Sequence, residues 1–179
     1  MEKDNKQRLF EVMEKVNPDF KSDKPKFVIP VGISGSGKST WINTLEGQGY
    51  AVVSPDDIRR EVLGTVNDQS RGSEIFQIAY QRVVDALNAK NSVIFDATNV
   101  SSSDRREMLK YLKNNVDFDF DAYAKIFDGN PEVSKERIKK DIEAGVDRSN
   151  VPPEAIDRQY QKFIGGLGNL ENDGYVIIK

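Results

Sequence analysis

The chain has 179 residues, 37% hydrophobic and 31% charged, with a net charge of −3; that is room for one domain with a sizeable core and too little for two ordinary ones. It contains no Cys and no His, which excludes disulfides, thiol nucleophiles and Cys-based zinc sites, and leaves acid–base chemistry to Asp, Glu, Lys or Tyr and any metal to oxygen ligands of the Mg²⁺ kind. The mild acidity argues against a broad basic face that coats nucleic acid, and no apolar run reaches the ~20 residues of a membrane helix, so a cytoplasmic protein is expected.

Leu9, Phe10, Met13 and Val16 fall on one helical face that Asn17-Pro18 ends, so residues 1–25 read as a helical extension on a domain spanning 26–179. A partner-binding helix is the alternative for that stretch. Phe27 to Val31 is a short apolar run, the pattern of a buried parallel strand, and Thr40 to Glu46 has helical spacing. Between them lies Gly32-Ile33-Ser34-Gly35-Ser36-Gly37-Lys38-Ser39, a full match to Gly-x-x-x-x-Gly-Lys-[Ser/Thr]. Strand before and helix after is the context that separates a real phosphate loop from a chance one.

The residue types follow from that task. Gly32, Gly35 and Gly37 allow the tight turn that aims successive N–H groups inward, with Ser34 and Ser36 between them and Thr40 just beyond. Lys38 is placed to reach the β- and γ-phosphates of ATP, and the Ser39 hydroxyl to hold Mg²⁺.

Tyr50 to Val53 is a second strand. Ser54-Pro55-Asp56-Asp57 then reads as an N-cap, a first-position proline and a capping acid, opening a helix that runs to Leu63. After a polar loop, residues 73–89 form a long helix with Ile75, Phe76, Ala79, Val83, Ala86 and Leu87 inward. Ser92 to Asp96 is a third strand, Thr98-Asn99 a turn, and Asp104 to Asn114 a helix. A fourth strand is expected over Phe118–Phe127, a basic helix over Pro131–Ala144, another helix from Pro152-Pro153, and a fifth strand over Tyr175–Ile178. Strands alternating with helices predict a parallel sheet covered on both faces.

Three groups beyond the loop suit chemistry. Asp56 lies just past the second strand, on the sheet edge where open α/β folds bind ligands, and shares a helix face with Arg59. A carboxylate there can take a proton from an incoming hydroxyl while the arginine holds a phosphate, although acids in a first helical turn also suit the macrodipole alone. Asp96 ends a strand expected beside the loop-bearing strand, the usual place for the acid that orders a Mg²⁺ water. Arg137, in the basic helix, and Arg148, after the Gly145 hinge, are candidates for a lid that puts an arginine on the transferring phosphoryl group.

Taken in order, Gly32–Thr40 with Trp41, Asp56-Asp57-Ile58-Arg59, Val93–Asn99 with Arg105-Arg106, Arg148 with Val151-Pro152, and Gln159-Tyr160 resemble the kinase domain of phage-type polynucleotide 5′-kinases. The resemblance covers about residues 27–165 and does not extend to the 3′-phosphatase domain of the bifunctional phage enzymes. It implies a P-loop kinase fold, α/β, with a five-stranded parallel sheet in the order 2-3-1-4-5 and a helical lid. It also implies Asp56 as general base for a 5′-hydroxyl, Arg59 on the acceptor's phosphate with Thr98 and Asn99 on the acceptor side, and Arg137 and Arg148 on ATP phosphates. Where the phage pattern has Asp directly before Thr-Asn, this chain has Ala97, with the acid one residue earlier at Asp96; in a strand, such a shift reverses the side-chain face. The expected activity is transfer of the ATP γ-phosphate to the 5′-hydroxyl end of RNA or DNA, with nucleic-acid repair as the implied setting. A kinase of a small hydroxylated acceptor and a nucleotide-gated ATPase or binding module are the alternatives.

Overall fold

A computed structural model describes residues 23–178, and the helix expected around Leu9–Val16 lies outside them. Five strands, β1 (Lys26–Val31), β2 (Tyr50–Val53), β3 (Ser92–Phe95), β4 (Asp121–Ile126) and β5 (Val176–Ile178), form one parallel sheet in the order β2-β3-β1-β4-β5. The helices are α1 (Lys38–Thr44), α2 (Pro55–Leu63), α3 (Gly72–Asn88), α4 (Ser102–Asn115), α5 (Pro131–Glu143) and α6 (Pro153–Gly166). This is the expected fold class and strand order.

Alternation along the strands sorts the core onto two faces. Phe27, Ile29 and Val31 of β1 join Val93 and Phe95 of β3 under Ile75, Ala79 and Val83 of α3, Met108 and Leu112 of α4, and Ile156 and Phe163 of α6. On the other face Val28, Ile94, Tyr123 and Ile178 pack with Ile42, Trp41 and Leu45 of α1.

One residue shapes the central ladder. β1 pairs with β4 over all six of its residues but with β3 only at Phe27 and Val28. Pro30 has no N–H to carry the β3 ladder further, and its carbonyl instead accepts from the Asn99 side-chain amide at 2.8 Å. The chain leaves β1 and β3 toward helices on opposite faces, so the sheet's binding crevice opens where that ladder stops.

Several boundaries differ from the sequence reading, and two of them have a clear local reason. Helix α4 begins at Ser102, because the Ser101 hydroxyl accepts from Asp104 N and acts as its N-cap. Strand β4 starts at Asp121: Asp117 N turns aside to the Asn88 side chain, and Phe120 packs edge-on to Phe27. The cap of α2 is as expected, with Asp57 N donating to the Ser54 hydroxyl at 3.3 Å and Pro55 in the first position.

A buried ion pair ties the C-terminal segment to α4. Arg105 and Asp173 have side chains 1% and 0% exposed and meet at 2.8 Å. Asp173 also accepts from the Ser102 hydroxyl and from Arg106, while Arg105 donates to the carbonyls of Gly166 and Asn99. Tyr175 donates its hydroxyl to Arg105 O. Every buried charge here has partners, which is the condition for tolerating it.

Candidate active site

The glycine loop leaves the C-terminal end of β1 and enters α1. Gly37 is the N-cap residue at φ 101°, a left-handed conformation in which a side chain is strained. Gly32 is needed for space: a Cβ there would lie 2.8 Å from the Phe127 carbonyl and from the Ser36 hydroxyl. No side chain among the described residues caps α1 and no acid occupies its first turn, which leaves its leading N–H groups available to an anion.

Lys38 is buried and folded back over the loop, its Nζ donating to the carbonyls of Gly32 at 2.9 Å and Ile33 at 2.6 Å. Burial lowers its pKa to about 8, against the attraction of Asp96 and with a smaller push from Arg148. Asp96 is shifted the opposite way: burial raises it, Lys38 pulls it down, and Asp56 and Asp57 raise it further. Lys38, Asp96, Asp56 and Arg148 therefore sit within one electrostatic neighbourhood. Asp96 lies one residue past the end of β3, its N–H still bonded to Val53 O of β2, and its carboxylate is attracted by the Lys38 ammonium.

Asp56 opens α2 and receives Arg59 Nη1 at 2.6 Å. The arginine side chain is 9% exposed and the carboxylate 43%, so the acid faces open space while its partner is held beneath. Arg59 Nε is buried without a hydrogen-bond partner, as is Arg148 Nε, which makes each an exception to the rule that buried polar groups are paired.

On the other side of the loop, Arg137 donates to the Gly35 carbonyl at 3.2 Å. Arg148 is paired with Asp141 of α5. Its neighbour Asp147 accepts from Arg60 Nε of α2 at 2.7 Å, and Asn150 N donates to the Asn67 side chain. The segment from Gly145 to Pro152 thus runs from the α5 side of the crevice to the α2 side.

Thr98 and Asn99 prove partly structural. Thr98 O accepts from Gly32 N, and the Asn99 amide reaches the carbonyls of Pro30, Ala97 and Phe95 from a backbone at φ 52°. Both still line a cavity of about 290 Å³ between α3, α4 and α6. Gln159, which sequence reasoning noted without a role, holds Ser34 N at 2.9 Å and lines the same cavity. Ser39 and Thr40 lie exposed at the start of α1.

A family model described as an AAA domain matches residues 27–164. The chain belongs to that family. A bifunctional polynucleotide kinase/RNA ligase of Autographa californica nuclear polyhedrosis virus is 26% identical over 165 residues, 84% of this chain. The chain spans 22% of that viral protein's length. Among solved structures, a chain of the Pnkp1/Rnl/Hen1 RNA repair complex superposes with a TM-score of 0.68 at 24% identity, over 83% of this chain and 47% of that one. A chain of the Streptococcus pneumoniae PezAT toxin–antitoxin system superposes at 0.58 and 14% identity, over 96% and 72%. The fold is that of P-loop kinases, and the loop is a nucleotide-binding one.

The residues present fit a nucleoside triphosphate with Mg²⁺: uncapped N–H groups and Lys38 for phosphate, and the oxygen donors Ser39 and Asp96 for the cation. Among the described residues no three acidic side chains converge on a metal site, so most of the cation's ligands would be phosphate and water oxygens.

Proposed function

We propose that the chain is an ATP-dependent polynucleotide 5′-hydroxyl kinase. The observation that carries the reading is the Asp56–Arg59 pair, an outward-facing carboxylate over an inward guanidinium, within electrostatic reach of Asp96, which itself attracts the phosphate-loop Lys38. In this reading the amides of Gly35 to Thr40 with Lys38 bind the triphosphate, and Ser39 and Asp96 hold Mg²⁺ directly or through water. Asp56 takes the proton from the 5′-hydroxyl as that oxygen bonds to the γ-phosphorus and ADP leaves. Arg59, held beneath Asp56, supplies the positive charge for a phosphate of the acceptor. Arg137 and Arg148 neutralise charge on the transferring group.

The printed name of the viral relative supports a polynucleotide acceptor, and the buried cation at Arg59 favours an anionic substrate over a neutral sugar. The test is to incubate the protein with γ-labelled ATP, Mg²⁺ and a panel of 5′-hydroxyl oligonucleotides, nucleosides and sugars. Label on the oligonucleotides is expected. Label on a sugar or nucleoside alone would make it a small-molecule kinase, and phosphate release that needs no acceptor and survives Asp56→Asn would make it a nucleotide-gated module.

A further inference from the structure

Resting on that reading of the site, we propose that the cavity between α3, α4 and α6 is a second acceptor subsite: it takes the nucleobase of the acceptor's second nucleotide and holds the phosphodiester that joins that nucleotide to the first. Neither Asp56 nor Arg59 lines this cavity, so it is separate from the place where the 5′-hydroxyl reacts. It nevertheless adjoins the phosphate loop, because the Gln159 that lines it is hydrogen-bonded to Ser34 N.

One wall is aromatic. Phe76 and Tyr80 stand four apart on α3, and with Phe95 they form a triangle of rings whose centroids are 6.0 to 6.4 Å apart. Phe95 is buried, whereas Phe76 and Tyr80 remain partly open toward the cavity they line. The facing wall is cationic. Arg158 and Lys162 are exposed one turn apart on α6, and neither has an ion-pair partner among the described residues. The lining contains a single carboxylate, Asp104. Gln159 spends its carbonyl oxygen on Ser34, which leaves its amide N–H groups to face a polar edge of a base.

A ring platform opposite unpaired cations is the pairing that single-stranded nucleic acid needs, since every base has a π-face and every residue of the strand a phosphate. A cleft left over from packing would need neither the two unpaired cations nor the half-open rings. At about 290 Å³ the cavity is near the lower end of ordinary ligand pockets, room for one base rather than a longer segment.

The experiment compares the wild-type protein with Phe76→Leu, which keeps apolar bulk but loses the ring face, and with the surface variant Arg158→Ala/Lys162→Ala. Each is measured with labelled 5′-hydroxyl single strands of one, two, five and ten nucleotides, for binding by fluorescence anisotropy and for transfer from ATP. Both variants should weaken binding and raise KM about 5- to 100-fold for strands of two or more nucleotides, leaving KM for ATP and for a nucleoside 3′-phosphate unchanged. Wild-type affinity in both variants overturns the subsite, as does an equal loss on the mononucleotide. If the wild type binds strands through these residues but transfers nothing to them, the subsite stands and the kinase reading falls.

Discussion

Removing Asp173 should cost more than any other single side-chain deletion outside the apolar core. Its two oxygens accept five hydrogen bonds, two from Ser102, two from Arg105 and one from Arg106. Asp173→Ala leaves Arg105, 1% exposed, with only the carbonyls of Asn99 and Gly166. Stranding a buried charge in this way costs about 3–5 kcal/mol, a large share of the roughly 5–15 kcal/mol that holds a domain of this size. At about 2–4 °C per kcal/mol, the midpoint should fall by ~6–20 °C. Equilibrium unfolding in urea, read by circular dichroism and checked by calorimetry, measures it. The double change Arg105→Met/Asp173→Leu removes both charges and should recover most of the loss. A single variant that loses less than about 1 kcal/mol, or a double variant as unstable as the single, would refute the reasoning.

Asp56→Asn should lower turnover by about 10²–10⁴-fold while sparing ATP affinity, as labelled transfer and titration calorimetry would read; retained turnover removes the general base. Arg148→Ala should cost ~10³-fold or more in kcat if its guanidinium reaches the transferring group, and a change confined to KM would place it elsewhere. Lys38 is shifted from 10.5 down to about 8 by burial, so the folded chain releases this proton before the unfolded chain does. Its contribution to stability therefore rises as pH climbs from about 8 to 10.5, by about 3 kcal/mol in all. Subtracting the profile of Lys38→Met should isolate that slope, and an identical profile would sink it. Asp147→Ala breaks an exposed side-chain pair and should change stability by under ~1 kcal/mol, yet speed limited proteolysis between residues 144 and 152; unchanged cleavage would mean that the carboxylate does not restrain the segment and that the Arg60 bond to the Asp147 carbonyl is enough.

The loop, the order of elements and the cap at Ser54 were legible because each is written in neighbouring residues. So was the meeting of Asp56 with Arg59, three apart on one helix. Asp96, expected as the last residue of its strand, lies one residue beyond it. What local patterns could not carry were contacts between distant segments. Asp173 is an unremarked acid in a polar turn until Arg105, 68 residues earlier, is seen beside it. Asn99 read as an acceptor-side residue, yet its amide is engaged by carbonyls of β1 and of its own turn, a duty that follows from a proline on another strand. Gln159 carried a weak signal, its place beside Tyr160 in the phage pattern, but its bond to Ser34 spans 125 residues and had no local signature.

The stretch from Gly145 to Pro152 is fastened on both banks of the crevice, to Asp141 on one and to Arg60 and Asn67 on the other. If the proposed polynucleotide acceptor enters beneath that stretch, the ties would bar the middle of a strand and admit only a loose tip. Preference for chain ends over interior hydroxyls would then be a matter of topology, enforced by a few side-chain ties before any base or phosphate is recognised.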